Sequence, residues 1–163
     1  MSRFKDLGIF DNTPHRQPNH VLINEYKPGE GIMPHEDGDA YAGVVATVSL
    51  GGATCLEISE KLNARLESEE GERLFDLPTR IFQEPRSLLI TTGTAYRDLM
   101  HGIASVEVDE ELNAGTVANW GLLGDRVTIE EAGGRSARET RISLTYRDVL
   151  KVSSAASKVF GKR

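Results

Sequence analysis

The sequence predicts a mainly β protein, a sandwich or barrel with little helix, and three observations carry that prediction. Short apolar runs recur along the 163 residues, among them VLINEY at 21–26, VVATVSLGG at 44–52 and PRSLLITTG at 85–93. Turn residues punctuate them, as PGEG does at 28–31 and Gly93 does at the end of the third run. No long amphipathic helical pattern lies between them.

Taken in order, VLINEY alternates apolar and polar side chains up to the PGEG turn. VVATVSLGG is β-branched and bounded by glycines, and ATCLEI at 53–58 follows closely enough to pair with it as a hairpin. AYRDLMHGIASVEV at 95–108 reads as a short turn leading into a strand, and TRISLTYRDV at 140–149 is the last strand. Two segments break the pattern. Residues 59–78 are charged, with Leu62 and Leu66 at helical spacing, and read as a solvated excursion with one short helix. Residues 109–139, rich in Gly, Glu, Asp and Ala around Trp120, read as a long mobile loop. The tail 151–163 is basic and rich in small residues, and is expected to fray. The length suits one domain with its core at about residues 19–150.

Hydrophobic residues make up 39% of the chain, and no run approaches the roughly 20 apolar residues of a membrane helix. The formal net charge of −6 favours solubility. It weighs against tight non-specific nucleic-acid binding, which needs a basic footprint; a local basic face stays compatible with it. The single cysteine, Cys55, cannot form an intramolecular disulfide, and its apolar surroundings mark it as a small buried hydrophobe. A reducing compartment, cytosol or nucleus, fits this usage best.

The chemistry begins at Met33-Pro34-His35-Glu36-Asp37-Gly38. In a strand, residues two apart share a face, so His35 and Asp37 would project together while Glu36 points away. His101 is the third candidate. Two histidines and a carboxylate on one side of an ion make the facial triad of non-haem Fe(II) oxygenases, whose open positions accept a bidentate oxo-acid and O₂. An H-x-D pair alone is weak, since a solvated surface His beside an acid is the commoner case. His15 and His20 precede the first strand and read as turn or surface polar residues. The last strand strengthens the signal. Arg141, Ser143, Thr145 and Arg147 share one face; Ile142, Leu144 and Tyr146 share the other. Ile142 and Leu144 are expected against a core, and two arginines inside a barrel need anionic partners. Their six-residue step is roughly 20 Å, from whose ends two long side chains can converge on a small dicarboxylate. An edge strand with solvated arginines remains the alternative on pattern alone.

With these residues assembled, the sequence resembles the AlkB family of dioxygenases. Asn24-Glu25-Tyr26-Lys27-Pro28-Gly29 through His35-Glu36-Asp37 follows the family's N-x-Y-x-P-G…H-x-D pattern, and Arg141 to Arg147 follows R-x-N-x-T-x-R. GEGIMPHEDG, EPRSLLI and HGIA are similar to the eukaryotic subgroup known as AlkB homologue six. The resemblance implies a double-stranded β-helix (jelly-roll) core, with His35, Asp37 and His101 as iron ligands. Asn24 and Tyr26 would hydrogen-bond the carboxylates of 2-oxoglutarate, Arg141 would bind its distal carboxylate, and Arg147 would sit nearer the metal. Ser143 stands where many members carry asparagine and has a shorter reach. The implied activity is Fe(II)-, 2-oxoglutarate- and O₂-dependent oxidative N-demethylation, with alkylated DNA or RNA as the family's usual substrate. A protein or small-molecule target, or an idle metal-binding interaction module, are the alternatives. Only 23 residues precede Asn24, too few for the family's nucleotide-recognition lid, which is therefore expected to be absent. Tyr41, Tyr96 and Trp120 fall in expected loops and read as ordinary packing rather than a platform for an extruded base.

Overall fold

The structure, a computed structural model, describes residues 2–61 and 79–151. The expectations for 62–78 and for 152–163 fall outside the described residues. From the N-terminus the chain forms α1 (Ser2–Asp6), β1 (His20–Tyr26), β2 (Ile32–His35), β3 (Tyr41–Gly51) and β4 (Thr54–Glu60). There follow β5 (Thr79–Gln83), β6 (Leu88–Thr92), α2 (Gly93–Arg97), β7 (Leu99–Ile103) and β8 (Val108–Asp109). A 3₁₀ turn at Trp120–Leu122, α3 (Arg126–Glu131), β9 (Ser136–Ala137) and β10 (Arg141–Val149) complete the described elements. None of the helices among the described residues is long and apolar enough to cross a membrane.

The strands build two four-stranded antiparallel sheets, ordered β1-β10-β3-β6 and β2-β7-β4-β5. Side chains from both sheets line one cavity between them, so the sheets face each other as a jelly roll. This is the mainly β architecture that the alternating runs predict. The last strand sits inside its sheet, between β1 and β3, because its alternation suits both neighbours.

Several expectations need correcting. The runs at 44–52 and 53–58 do not form a hairpin: β3 and β4 belong to different sheets. Between them Gly51 adopts φ 72°, and a Cβ there would stand 2.4 Å from the Thr140 carbonyl oxygen. A Cβ on Gly52 would stand 2.7 Å from the Glu139 carbonyl oxygen. The glycine pair lets the chain turn a corner against the start of β10, which from sequence looks the same as a hairpin turn.

The segment 109–139 is not a structureless loop. Leu112, Val117, Trp120 and Ile129 from it bury against Cys55 and Phe82 as one core cluster. The β8–β9 ribbon closes it, with Arg138 donating Nε and Nη2 to the Asp109 carboxylate at 3.0 and 2.7 Å. Its apolar residues follow no helical or strand period, which is why it reads as loop.

The last strand turns its two arginines inward, as read, rather than to solvent as an edge strand would, while its apolar face is only partly packed. Arg141 and Ser143 are each 3% exposed, whereas Ile142 is 36% exposed. The polar face looks into the barrel, and the apolar face forms its outer surface. Part of that outer surface is covered by the N-terminal segment. Phe4, Ile9 and Phe10 pack on Val44, Ala46, Val48, Leu88 and Tyr146, with the Phe4 and Tyr146 rings edge-on at 4.9 Å.

Candidate active site

The inward face of β10 defines one wall of the cavity. Antiparallel register sets Asn24 beside Ser143 and Tyr26 beside Arg141, and on the other flank it sets Ser49 beside Ser143. Cross-strand neighbours share a face, so these side chains enter the same space. The cavity measures ≈ 280 Å³. Arg141 lies at one end. Its Nε donates to Ser49 Oγ at 2.8 Å and its Nη2 to Gln83 Oε1 at 2.6 Å, and its guanidinium lies 5.7 Å from the centre of the Tyr26 ring. Burial brings the Arg141 guanidinium down to about 10, which leaves it charged at neutral pH.

The other end gathers imidazole and carboxylate. His35 closes β2 and pairs in register with His101 of β7, the rings 4.5 Å apart between centroids. His35 Nδ1 lies 3.0 Å from the Met33 carbonyl oxygen, which can only accept. Nδ1 therefore donates, which leaves Nε2 as the ring atom that can face a metal. His101 Nε2 is 3.9 Å from Asp37 Oδ2. Burial lowers the His101 pKa, and the nearby Asp37 charge opposes that shift. Asp37 is not on the strand as expected. It stands two residues past the end of β2, its side chain only 4% exposed. The loop that carries it is pinned by the Tyr96 hydroxyl, which donates to the Gly38 carbonyl at 2.7 Å.

Arg147 belongs to this second end. Its Nη2 donates to Asp37 Oδ1, and its guanidinium lies 4.7 Å from the centre of the Tyr41 ring, on which His20 stacks at 6.1 Å. Arg147 Nε is buried with no hydrogen-bond partner among the described residues. With Asp37 Oδ1 held by Arg147, the described residues contain no closed group of three His, Cys, Asp or Glu side chains ready around one ion. The donor chemistry nevertheless fits ferrous iron: two imidazoles, one with its tautomer set by a backbone carbonyl, and one carboxylate oxygen facing the second imidazole.

All eight residues singled out from the sequence (Asn24, Tyr26, His35, Asp37, His101, Arg141, Ser143 and Arg147) line this one cavity. Others were missed. Gln83 ends β5, a strand in the short stretch between the 59–78 segment and the 85–93 run to which no element was assigned, and Ser49 gives no signal except its register with Ser143. His15 is not a plain surface residue, since its Nδ1 lies 2.5 Å from Asp148 Oδ1. Nor do the three aromatic residues lie in loops: Tyr41 opens β3, Tyr96 is in α2 and Trp120 is in the 3₁₀ turn. Each makes an internal contact, which agrees with their reading as packing.

The family described as the 2OG-Fe(II) oxygenase superfamily matches residues 4–147. The chain belongs to it. This oxygenase is 38% identical over 150 residues to the Danio rerio protein named Probable RNA/DNA demethylase ALKBH6, covering 91% of the chain and 59% of that relative. It is 33% identical over 144 residues to Uncharacterized protein L905 of Acanthamoeba polyphaga mimivirus, covering 88% and 54%. A third relative is the Xenopus tropicalis tRNA (carboxymethyluridine(34)-5-O)-methyltransferase alkbh8, 30% identical over 138 residues, covering 81% and 18%. The oxygenase thus spans little more than half the length of the first two relatives. These identities bear out the AlkB-like reading of its motifs, and the superfamily brings Fe(II), 2-oxoglutarate and O₂ as cofactor, co-substrate and oxidant.

Proposed function

We propose that the cavity binds 2-oxoglutarate between Arg141 and the His35, Asp37 and His101 cluster, and that the oxygenase oxidatively N-demethylates an alkylated nucleic acid. One observation carries this reading: a buried arginine that meets only neutral groups among the described residues and a His/His/Asp cluster line a single cavity. His35, Asp37 and His101 would hold the iron. Arg141 would bind the distal carboxylate of the co-substrate, with the cross-strand pairs Asn24–Ser143 and Tyr26–Arg141 lining its length. Arg147 fixes the Asp37 carboxylate through Oδ1, so its Oδ2 keeps one orientation toward His101. The surrounding Leu56, Ile58, Ile81, Leu99 and Ile103 keep this space apolar and exclude water. Iron bound there supplies O₂ activation coupled to decarboxylation of 2-oxoglutarate to succinate, and oxidation of an N-methyl carbon ends in formaldehyde and a free amine.

Alkylated DNA or RNA as substrate draws its support from the 38% identity to a protein named as an RNA/DNA demethylase. A methylated peptide is the second reading. The net charge of −6 favours it, as does the commitment of Tyr41, Tyr96 and Trp120 to internal contacts. Anaerobic titration with Fe(II) and 2-oxoglutarate tests the co-substrate site, with a weak visible charge-transfer band as the expected result. Folded, iron-loaded protein that gives no band overturns it. Formaldehyde release from methylated oligonucleotides but not from methylated peptides is expected, and the reverse would replace the first substrate class by the second.

A further inference from the structure

Arg138, Arg141 and Arg147 are all buried, at 8%, 3% and 8% exposure. Two of them meet carboxylates. Arg138 grips both oxygens of Asp109, and Arg147 donates to Asp37. Arg141 is the most deeply buried, and among the described residues it meets none. Its partners are a hydroxyl, a carboxamide and the face of a phenol ring.

Gln83 is the telling member of that set. It is 3% exposed and ends β5 in one sheet, while Arg141 begins β10 in the other, so their 2.6 Å hydrogen bond spans the cavity's end. The glutamine oxygen accepts and directs Nη2 but brings no net charge. A glutamate differs from it by one atom and would close an ion pair of the Arg138–Asp109 kind. A buried guanidinium without a counter-charge is costly, and any ligand that supplies one gains accordingly.

We propose that Gln83 sets this oxygenase's requirement for a dianionic oxo-acid, by orienting Arg141 without neutralising it. This rests on the reading of Arg141 as the site of the distal carboxylate. On that reading, 2-oxoglutarate completes the pair that the protein leaves open. An equally long oxo-acid with a neutral end leaves Arg141 uncompensated. Gln83 is a positioning and specificity residue here, and Arg141 is the group that touches the ligand.

The test uses the iron-loaded protein under anaerobic conditions. The charge-transfer band is titrated with 2-oxoglutarate and with its 5-methyl ester, whose distal end is neutral. Wild type is expected to prefer 2-oxoglutarate by roughly 30-fold or more. Gln83→Glu should weaken 2-oxoglutarate by a similar factor and leave the ester within about threefold, so the preference collapses. Its melting temperature should not fall, because a new ion pair replaces a hydrogen bond. Gln83→Met should bind 2-oxoglutarate more weakly, by roughly threefold or more, because Arg141 loses the acceptor that directs it, yet keep the preference, since Arg141 stays charged and unpaired. Retention of the wild-type preference by Gln83→Glu overturns the proposal, as does its loss in Gln83→Met. If Gln83→Glu does not fold, Ser49→Asp places the carboxylate against Arg141 Nε, with the same expected collapse and the same overturning result. Wild type that binds iron but gives no band with 2-oxoglutarate overturns the co-substrate reading itself.

Discussion

Asp148 follows Arg147 directly and is fully buried, yet it turns away from the cavity and into the N-terminal segment. The His15 backbone N–H donates to its Oδ2 at 3.0 Å, and the His15 ring meets Oδ1. Burial pushes this carboxyl up, but hydrogen bonds from Thr13 and His15 outweigh it and hold the group below the ordinary carboxylate range. A depressed folded value means the stabilisation is fully present above the unfolded pKa and disappears as pH falls through the folded one. Asp148→Asn should therefore lose about 1–3 kcal/mol at neutral pH. The difference from wild type should shrink below about pH 4. Urea melts across that pH range measure both. A second residue behaves in the opposite sense. Burial, reinforced by the Asp109 charge, pushes the Cys55 thiol up to about 12. Iodoacetamide at pH 8 should leave the folded protein unlabelled and modify Cys55 once urea unfolds it.

At the scale of elements, legibility followed periodicity. Strands β1, β3, β6 and β10 alternate or run β-branched between glycines, and the sequence reading found each one. β2 is four residues with a proline inside, and β5 is five residues beside a charged stretch, so neither rose above its surroundings. Which face of β10 is inside was also hard to read, because burying two arginines contradicts simple hydrophobic patterning. On the proposed reading, an anionic ligand gives that burial its purpose. The Gly51–Gly52 corner shows the same limit, since a glycine pair marks a turn without saying which sheet the next strand joins. Gly51→Ala carries both a φ of 72° and a Cβ 2.4 Å from a carbonyl oxygen. It should destabilise the fold by at least about 1–2 kcal/mol, as denaturant melts would show. Gly38 has φ 84° with open space around its Cβ position. The same substitution there should cost only the backbone term of about 1–2 kcal/mol.

For the molecule as a whole, the residues of the candidate site were legible before its architecture was. His35, Asp37 and His101 could be named from residue type and spacing, and the arginines from strand alternation. Gln83 and Ser49 could not, because their role exists only once β5 and β3 are brought against β10. That assembly also divides the site. Asn24, Tyr26, Arg141, Ser143 and Arg147 come from one sheet, while His35 and His101 come from the other. On the proposed reading, metal and co-substrate bound together bridge the two sheets. Mn(II) and 2-oxoglutarate added jointly should then raise the melting temperature by more than the sum of their separate effects. Strictly additive shifts would show that no bridge forms. The division has a mechanical meaning too. On the proposed reading, chelating the metal from the 2-oxoglutarate-bound protein would remove a fastener between two halves of a shell, so amide exchange should quicken along both facing sheets, and the loosening should spread from the seam rather than from the chain's ends.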